Sequence, residues 1–147
     1  MSKNRYIVLH GTAADRIEAI GMCGKALCDA GYVAETFAVK CQEREKEFPT
    51  GLPTDYPVAI PHCKDDGIRE NAICFLKLDK PVVFYRMDDD QEYVETDMIF
   101  NMAIKDPNAH LEALQNLMTF LGNADNLNKC RSLSDTEIVT FFEECIG

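Results

Sequence analysis

The spacing of apolar and polar residues changes several times along the chain, and each change marks an element. The run "YIVLH", Tyr6 to His10, is short and rich in β-formers and predicts a strand. Thr12 with Asp15 three positions on resembles a capping box opening a helix that ends at Gly31, with Ile17, Ile20, Gly24 and Leu27 along one face. A second helix is predicted from about Glu35 to Phe48, where Pro49 and Gly51 stop it. Val58 to Ile60 form a brief strand, since the residue before Pro61 is pushed away from the helical region, and His62 falls at that strand's end. "NAICFLKL", "PVVFY" and "YVETDMIFNMAI" read as three further strands, the last nearly continuous in its apolar content, as a central strand would be. Beyond Pro107, Asn108 can cap a helix carrying Leu111, Leu114, Leu117, Met118 and Leu121, closed by Gly122. A short helical turn follows, and Ser134 with Glu137 makes a capping box for a last helix bearing Ile138, Phe141, Phe142 and Cys145. The order is strand, two helices, several strands, then helices, which predicts an α/β fold with helices on both sides of a mixed sheet.

Composition narrows what such a fold does. A chain of 147 residues predicts one domain over 1–147, and 46% hydrophobic with 27% charged residues is an ordinary globular balance. A net charge of −10, with no basic run, argues against nucleic acid and anionic membranes as partners. The opening "MSKNRYIVLHGTAAD" reads as neither a signal peptide nor a membrane span, so a cytoplasmic protein is expected. Seven cysteines without a CxxC pair suit a reduced compartment, and histidines dispersed at His10, His62 and His110 give no zinc pattern. Neither a metal nor another cofactor is expected. "DDD", Asp88 to Asp90, lacks the glycine and spacing of a calcium loop and reads as a solvated turn; "GMCGKA" lacks the Walker spacing.

Three polar residues stand where chemistry is possible. On the second helix Phe37, Cys41, Arg44 and Phe48 share one stripe, so a guanidinium points inward. Two readings remain open: a side chain whose stem covers apolar surface while its head reaches water, and a two-pronged clamp for carboxylate or phosphate oxygens. His110 lies beside the leucine stripe of the helix after Pro107, in its first turn, either as a packing residue or as a neutral donor to an anion. His62 is either an idle loop residue or a nucleophile at a rigid strand end, and His10 reads as structural. A thiol enzyme using Cys63 beside His62 is disfavoured, because adjacent side chains on an extended segment point in opposite directions.

"QEREKEFPTG" followed by "VAIPHC", and later "PVVF", "MIFNMA" and "AHLEAL", resemble the enzyme IIA domains of the bacterial phosphoenolpyruvate-dependent sugar phosphotransferase system, mannitol/fructose superfamily. "REKEFPTG" and "AIPHC" look most like the galactitol-type branch; many relatives carry Gly after the histidine, and Cys63 departs from that pattern. The resemblance implies a three-layer α/β/α sandwich and a phosphohistidine intermediate. It implies His62 as the phosphoacceptor, His110 as the second active-site histidine and Arg44 as the phosphate-facing arginine. The implied partners are phospho-HPr as donor and a cysteine of a cognate enzyme IIB as acceptor, with a membrane enzyme IIC completing sugar uptake. A regulatory phosphoacceptor of the nitrogen-type branch is the alternative that the same resemblance leaves open.

Overall fold

The computed structural model describes residues 4–147. The chain runs through β1 (Arg5–Gly11), α1 (Arg16–Asp29), α2 (Thr36–Glu47), β2 (Gly51–Leu52), β3 (Val58–Ala59), β4 (Ala72–Tyr85), β5 (Tyr93–Ala103), a single 3-10 turn (Pro107–Ala109), α3 (His110–Leu121), α4 (Ala124–Ser132) and α5 (Asp135–Cys145). The strands form one mixed sheet in the order β1-β4-β5-β3-β2. β1 lies parallel to β4 and β3 parallel to β5, whereas β4 and β5 pair antiparallel.

Successive residues of β4 serve opposite faces, as the pleat requires. Cys74 and Leu76 join a buried layer with Ile20, Leu27, Phe37 and Cys41 of α1 and α2. Ile73 and Phe75 join Leu117, Leu121, Ile138 and Phe142 of α3 and α5. Helices therefore cover both faces, giving the expected three layers around a mixed sheet.

Local signals account for most element ends, with four corrections. The first helix is capped by Asp15 itself, which accepts the Glu18 N–H, while Thr12 instead donates to Asp79. That helix stops at Asp29, and Gly31 takes φ +85° after it, with the Tyr32 N–H reaching back to the Leu27 carbonyl. "NAICFLKL" and "PVVFY" belong to one strand, since pairing with β5 resumes beyond an irregularity between Lys77 and Val82. Pro81 sits inside that irregularity, where no ladder N–H is required. The cap before α3 is Asp106, which accepts the Asn108 N–H. On α3 the buried face is Leu117, Phe120 and Leu121; Leu111 and Met118 are exposed. The capping box of Ser134 and Glu137 is formed as expected.

Candidate functional site

His62 follows β3 at the point where the chain passes beside the end of β5. The Pro61 carbonyl accepts the Met102 N–H (2.9 Å) and the Asn101 side-chain amide (3.1 Å), so two donors from β5 hold the peptide just before the histidine. The His62 Nδ1–H donates to the Ile60 carbonyl at 2.6 Å. That bond assigns the proton to Nδ1 and leaves Nε2 with its lone pair. The loop beyond is also tied down: Asp65 accepts from Lys40 (2.9 Å) and Thr36 (2.7 Å) of α2.

The ring is 3% exposed and its pKa is pushed down to about 4, first by burial and then by the charge of Arg44, although the Ile60 carbonyl works the other way. His110 stands across from it, ring centroids 5.2 Å apart. Burial, then Arg44 and Lys64, lower the His110 pKa as well. Both imidazoles are thus neutral at neutral pH. The helix dipole expected to act on His110 is less available than the sequence suggested, because a 3-10 turn precedes α3 and the His110 backbone N–H already bonds to Pro107. Its side chain is the usable part: Nε2 is buried and has no hydrogen-bond partner among the described residues.

Arg44 completes the group. Its guanidinium lies 5.3 Å from the Phe48 ring centroid and enters no ion pair with a carboxylate among the described residues. Phe48 itself is 60% exposed, so the inward stripe of α2 is Phe37, Cys41 and Glu45 rather than one ending at Phe48. Arg44, His62, His110 and Lys64 line one cavity of about 570 Å³. A neighbouring hollow of about 610 Å³ shares Arg44 and His62 and is bounded by Met87 and Asp88 to Asp90. A partly desolvated pocket with Arg44 and Lys64 in its lining and one imidazole nitrogen uncommitted can receive an anionic electrophile and stabilise its oxygens.

Other candidates lie apart. His10 Nε2 bonds to Asp135 at 2.8 Å, tying β1 to the first turn of α5. Cys63 is 4% exposed, with its sulfur 3.3 Å from that of Cys41 in the layer beneath α2. Sequence reasoning missed Glu45, Thr50 and Asn101, all buried. Only the positions of Cys41 and Glu45, four apart on the Phe37 stripe, signalled that a carboxylate turned inward.

Comparison with known proteins adds the lineage. Residues 1–145 match the family described as "Phosphoenolpyruvate-dependent sugar phosphotransferase system, EIIA 2". The galactitol-specific EIIA component of Escherichia coli (strain K12) is 28% identical, over 90% of this chain and 88% of that protein. A nitrogen regulatory protein of Pseudomonas aeruginosa is 30% identical, over 72% of this chain and 66% of its own length. Among solved structures, a complex of Escherichia coli enzyme IIA and phosphorylated enzyme IIB of the mannitol system superposes with a TM-score of 0.75 at 22% identity, covering 93% of each chain. A likeness at that identity speaks for the fold.

Proposed function

Because the chain belongs to the EIIA 2 family of the phosphoenolpyruvate-dependent sugar phosphotransferase system, we propose that this phosphotransferase works through His62, over residues 1–147 as a single enzyme IIA unit. His62 accepts a phosphoryl group from the phosphohistidine of HPr and passes it to a cysteine of a cognate enzyme IIB, which with a membrane enzyme IIC takes up and phosphorylates a sugar or sugar alcohol. Galactitol is the substrate favoured, on the strength of the galactitol-specific relative. The enzyme IIB partner is supported by the IIA–IIB complex among the fold neighbours. A cytoplasmic setting suits both partners, and no helix among the described residues is long and apolar enough to cross a membrane.

One observation carries this reading. The Ile60 carbonyl engages Nδ1 and leaves Nε2 free in a pocket that Arg44 and His110 also line. The Nε2 lone pair attacks phosphorus as the donor's P–N bond breaks, and the departing imidazole keeps that bond's electron pair. Arg44 grips equatorial oxygens whose charge grows in the transition state, and the unpartnered Nε2 of His110 stabilises the phosphoryl group. The second half-reaction reverses the roles: a thiolate attacks and His62 leaves. Positioning supplies most of the catalysis of acceptance, since the neutral His62 imidazole is already a competent nucleophile near neutral pH.

The experiment is incubation with phosphoenolpyruvate, enzyme I and HPr. One acid-labile, base-stable phosphoryl group is expected on His62. Full labelling of a His62→Ala protein would sink the assignment. A second reading, a phosphoacceptor that regulates another protein, is favoured by the nitrogen regulatory relative. Onward transfer to the enzyme IIB cysteine, measured by rapid quench, separates the two: efficient delivery supports transport, and retention on His62 supports regulation.

A further inference from the structure

We propose that Glu45 is a positioning residue for phosphoryl acceptance, holding the His62 ring through Thr50 and Ile60 so that Nδ1 stays on the backbone and Nε2 faces the pocket. The inference rests on the reading of His62 as the acceptor.

The contacts form one unbroken chain. Glu45 is 2% exposed, and its two oxygens accept the Thr50 N–H at 2.7 Å and the Thr50 hydroxyl at 2.7 Å. The Thr50 carbonyl accepts the Ile60 N–H at 3.2 Å, and the Ile60 carbonyl accepts the His62 Nδ1–H at 2.6 Å. Pro61, between them, is held independently by β5. The peptide units before and after the one that carries the histidine's hydrogen-bond acceptor are therefore both held, and the hold on the first ends in a buried carboxylate.

Local physics disfavours that carboxylate where it stands. It lies in the last turn of α2, the negative end of the helix dipole, where an acidic group is destabilising. It continues the apolar stripe of Phe37 and Cys41, where an aliphatic residue would need no desolvation. Burial pushes its pKa up to about 7, against the pull of the Thr50 donors, Arg16 and Arg44. A cap for the end of α2 would need donors for carbonyl groups, and a carboxylate supplies none. What it does supply is a pair of acceptors for the segment leading to β3. The tautomer so enforced, with the proton on Nδ1, is the one a free imidazole side chain favours less, so it requires support.

Two readouts on 15N-labelled protein test this: long-range proton–nitrogen NMR of the His62 ring, which shows which nitrogen holds the proton, and rapid-quench labelling from phospho-HPr across donor concentrations. The wild type should show Nδ1–H alone. In Glu45→Ala both tautomers should appear and the maximal acceptance rate should fall about tenfold or more, with the half-saturating donor concentration within about twofold. Glu45→Gln can still accept the Thr50 N–H and donate to its hydroxyl, and should restore the single tautomer and most of the rate. A folded Glu45→Ala protein with Nδ1–H alone and the wild-type maximal rate would overturn the proposal, as would Glu45→Gln behaving like Glu45→Ala. Should Glu45→Ala not fold, Glu45→Leu removes both acceptors while filling the apolar stripe, and a single Nδ1–H tautomer with the wild-type maximal rate in that variant overturns the proposal equally. A wild type that takes no label on His62 defeats the acceptor reading, while the tautomer comparison still decides the brace.

Discussion

The two faces of the sheet are built from different materials. Beneath α3, α4 and α5 the layer is aromatic: the Phe142 ring lies 5.5 to 5.9 Å from the rings of Tyr6, Phe75, Phe100 and Phe120. Beneath α1 and α2 it is made of smaller groups, with Cys23, Cys41, Cys63 and Cys74 buried and Gly24 so close to Ala38 that an added Cβ would sit 2.4 Å from that residue's own. Large rings bury much area but keep helices apart. Small residues let α2 pack closely on α1, and α2 carries Arg44 and Glu45. One face thus supplies cohesion and the other supplies reach, and the pocket lies where Arg44 from the second face meets His110 from the first.

The largest effect that could break this division is Phe142→Ala. Removing a ring that touches four others should cost about 3–5 kcal/mol in urea unfolding, while the labelling rate per folded molecule stays as in the wild type. A slowed rate in the folded fraction would show that the aromatic layer also tunes the chemistry.

Titration sharpens the contrast next. Glu45 is raised from 4.5 to about 7 in the folded protein, so it contributes stability below pH 4.5 that is lost as pH rises through 7. His62 is lowered from 6.5 to about 4, so its contribution is present above pH 6.5 and is lost as pH falls through 4. Each change is about 3 kcal/mol, and between pH 4.5 and 6.5 the two slopes oppose each other. Denaturant midpoints should therefore rise on acidification in His62→Gln and fall in Glu45→Gln, with the wild type between them. Parallel curves for all three proteins would remove this account of the buried pair.

The smallest expected effect on stability is Arg44→Lys. A point charge cannot reproduce a two-pronged grip, and losing a charged hydrogen bond of about 1.5–3 kcal/mol made only in the transition state means about tenfold or more in transfer rate. The unfolding midpoint should hardly move, since Arg44 forms no ion pair among the described residues. Wild-type transfer in a folded Arg44→Lys protein would return this side chain to covering Phe48.

Periodicity made the three polar residues of the pocket legible, because Arg44 and His110 each lie near an apolar stripe and Pro61 ends a strand before His62. It failed where a partner lay elsewhere in the chain. Glu45 stands in the charged run "QEREKE", and only its spacing from Cys41 hints at burial; its partner Thr50 lies beyond the helix end and folds back to meet it. Leu111 and Phe48 fit their stripes yet are exposed, at the first turn of α3 and just past the end of α2. "NAICFLKL" and "PVVFY" read as two strands in the sequence; pairing with β5 on both sides of the irregularity carries β4 through. Local composition does not encode that long-range pairing.

The shortness of β3 has a kinetic consequence. The strand contributes two residues, and its register against β5 rests on Ala59 opposite Ile99 and His62 opposite Met102. β1 must likewise find β4 across the intervening helices. Contacts between such distant parts of a chain close slowly, on a scale of about milliseconds to seconds for β-rich topologies, and helical segments form well before them. A refolding chain therefore holds His62 in a segment with no fixed tautomer and no pocket until Met102 pairs beside it. On the proposed reading of His62, competence to take a phosphoryl group arrives with the last long-range pairing, and the rate at which refolding protein becomes chargeable is a clock for the completion of its fold.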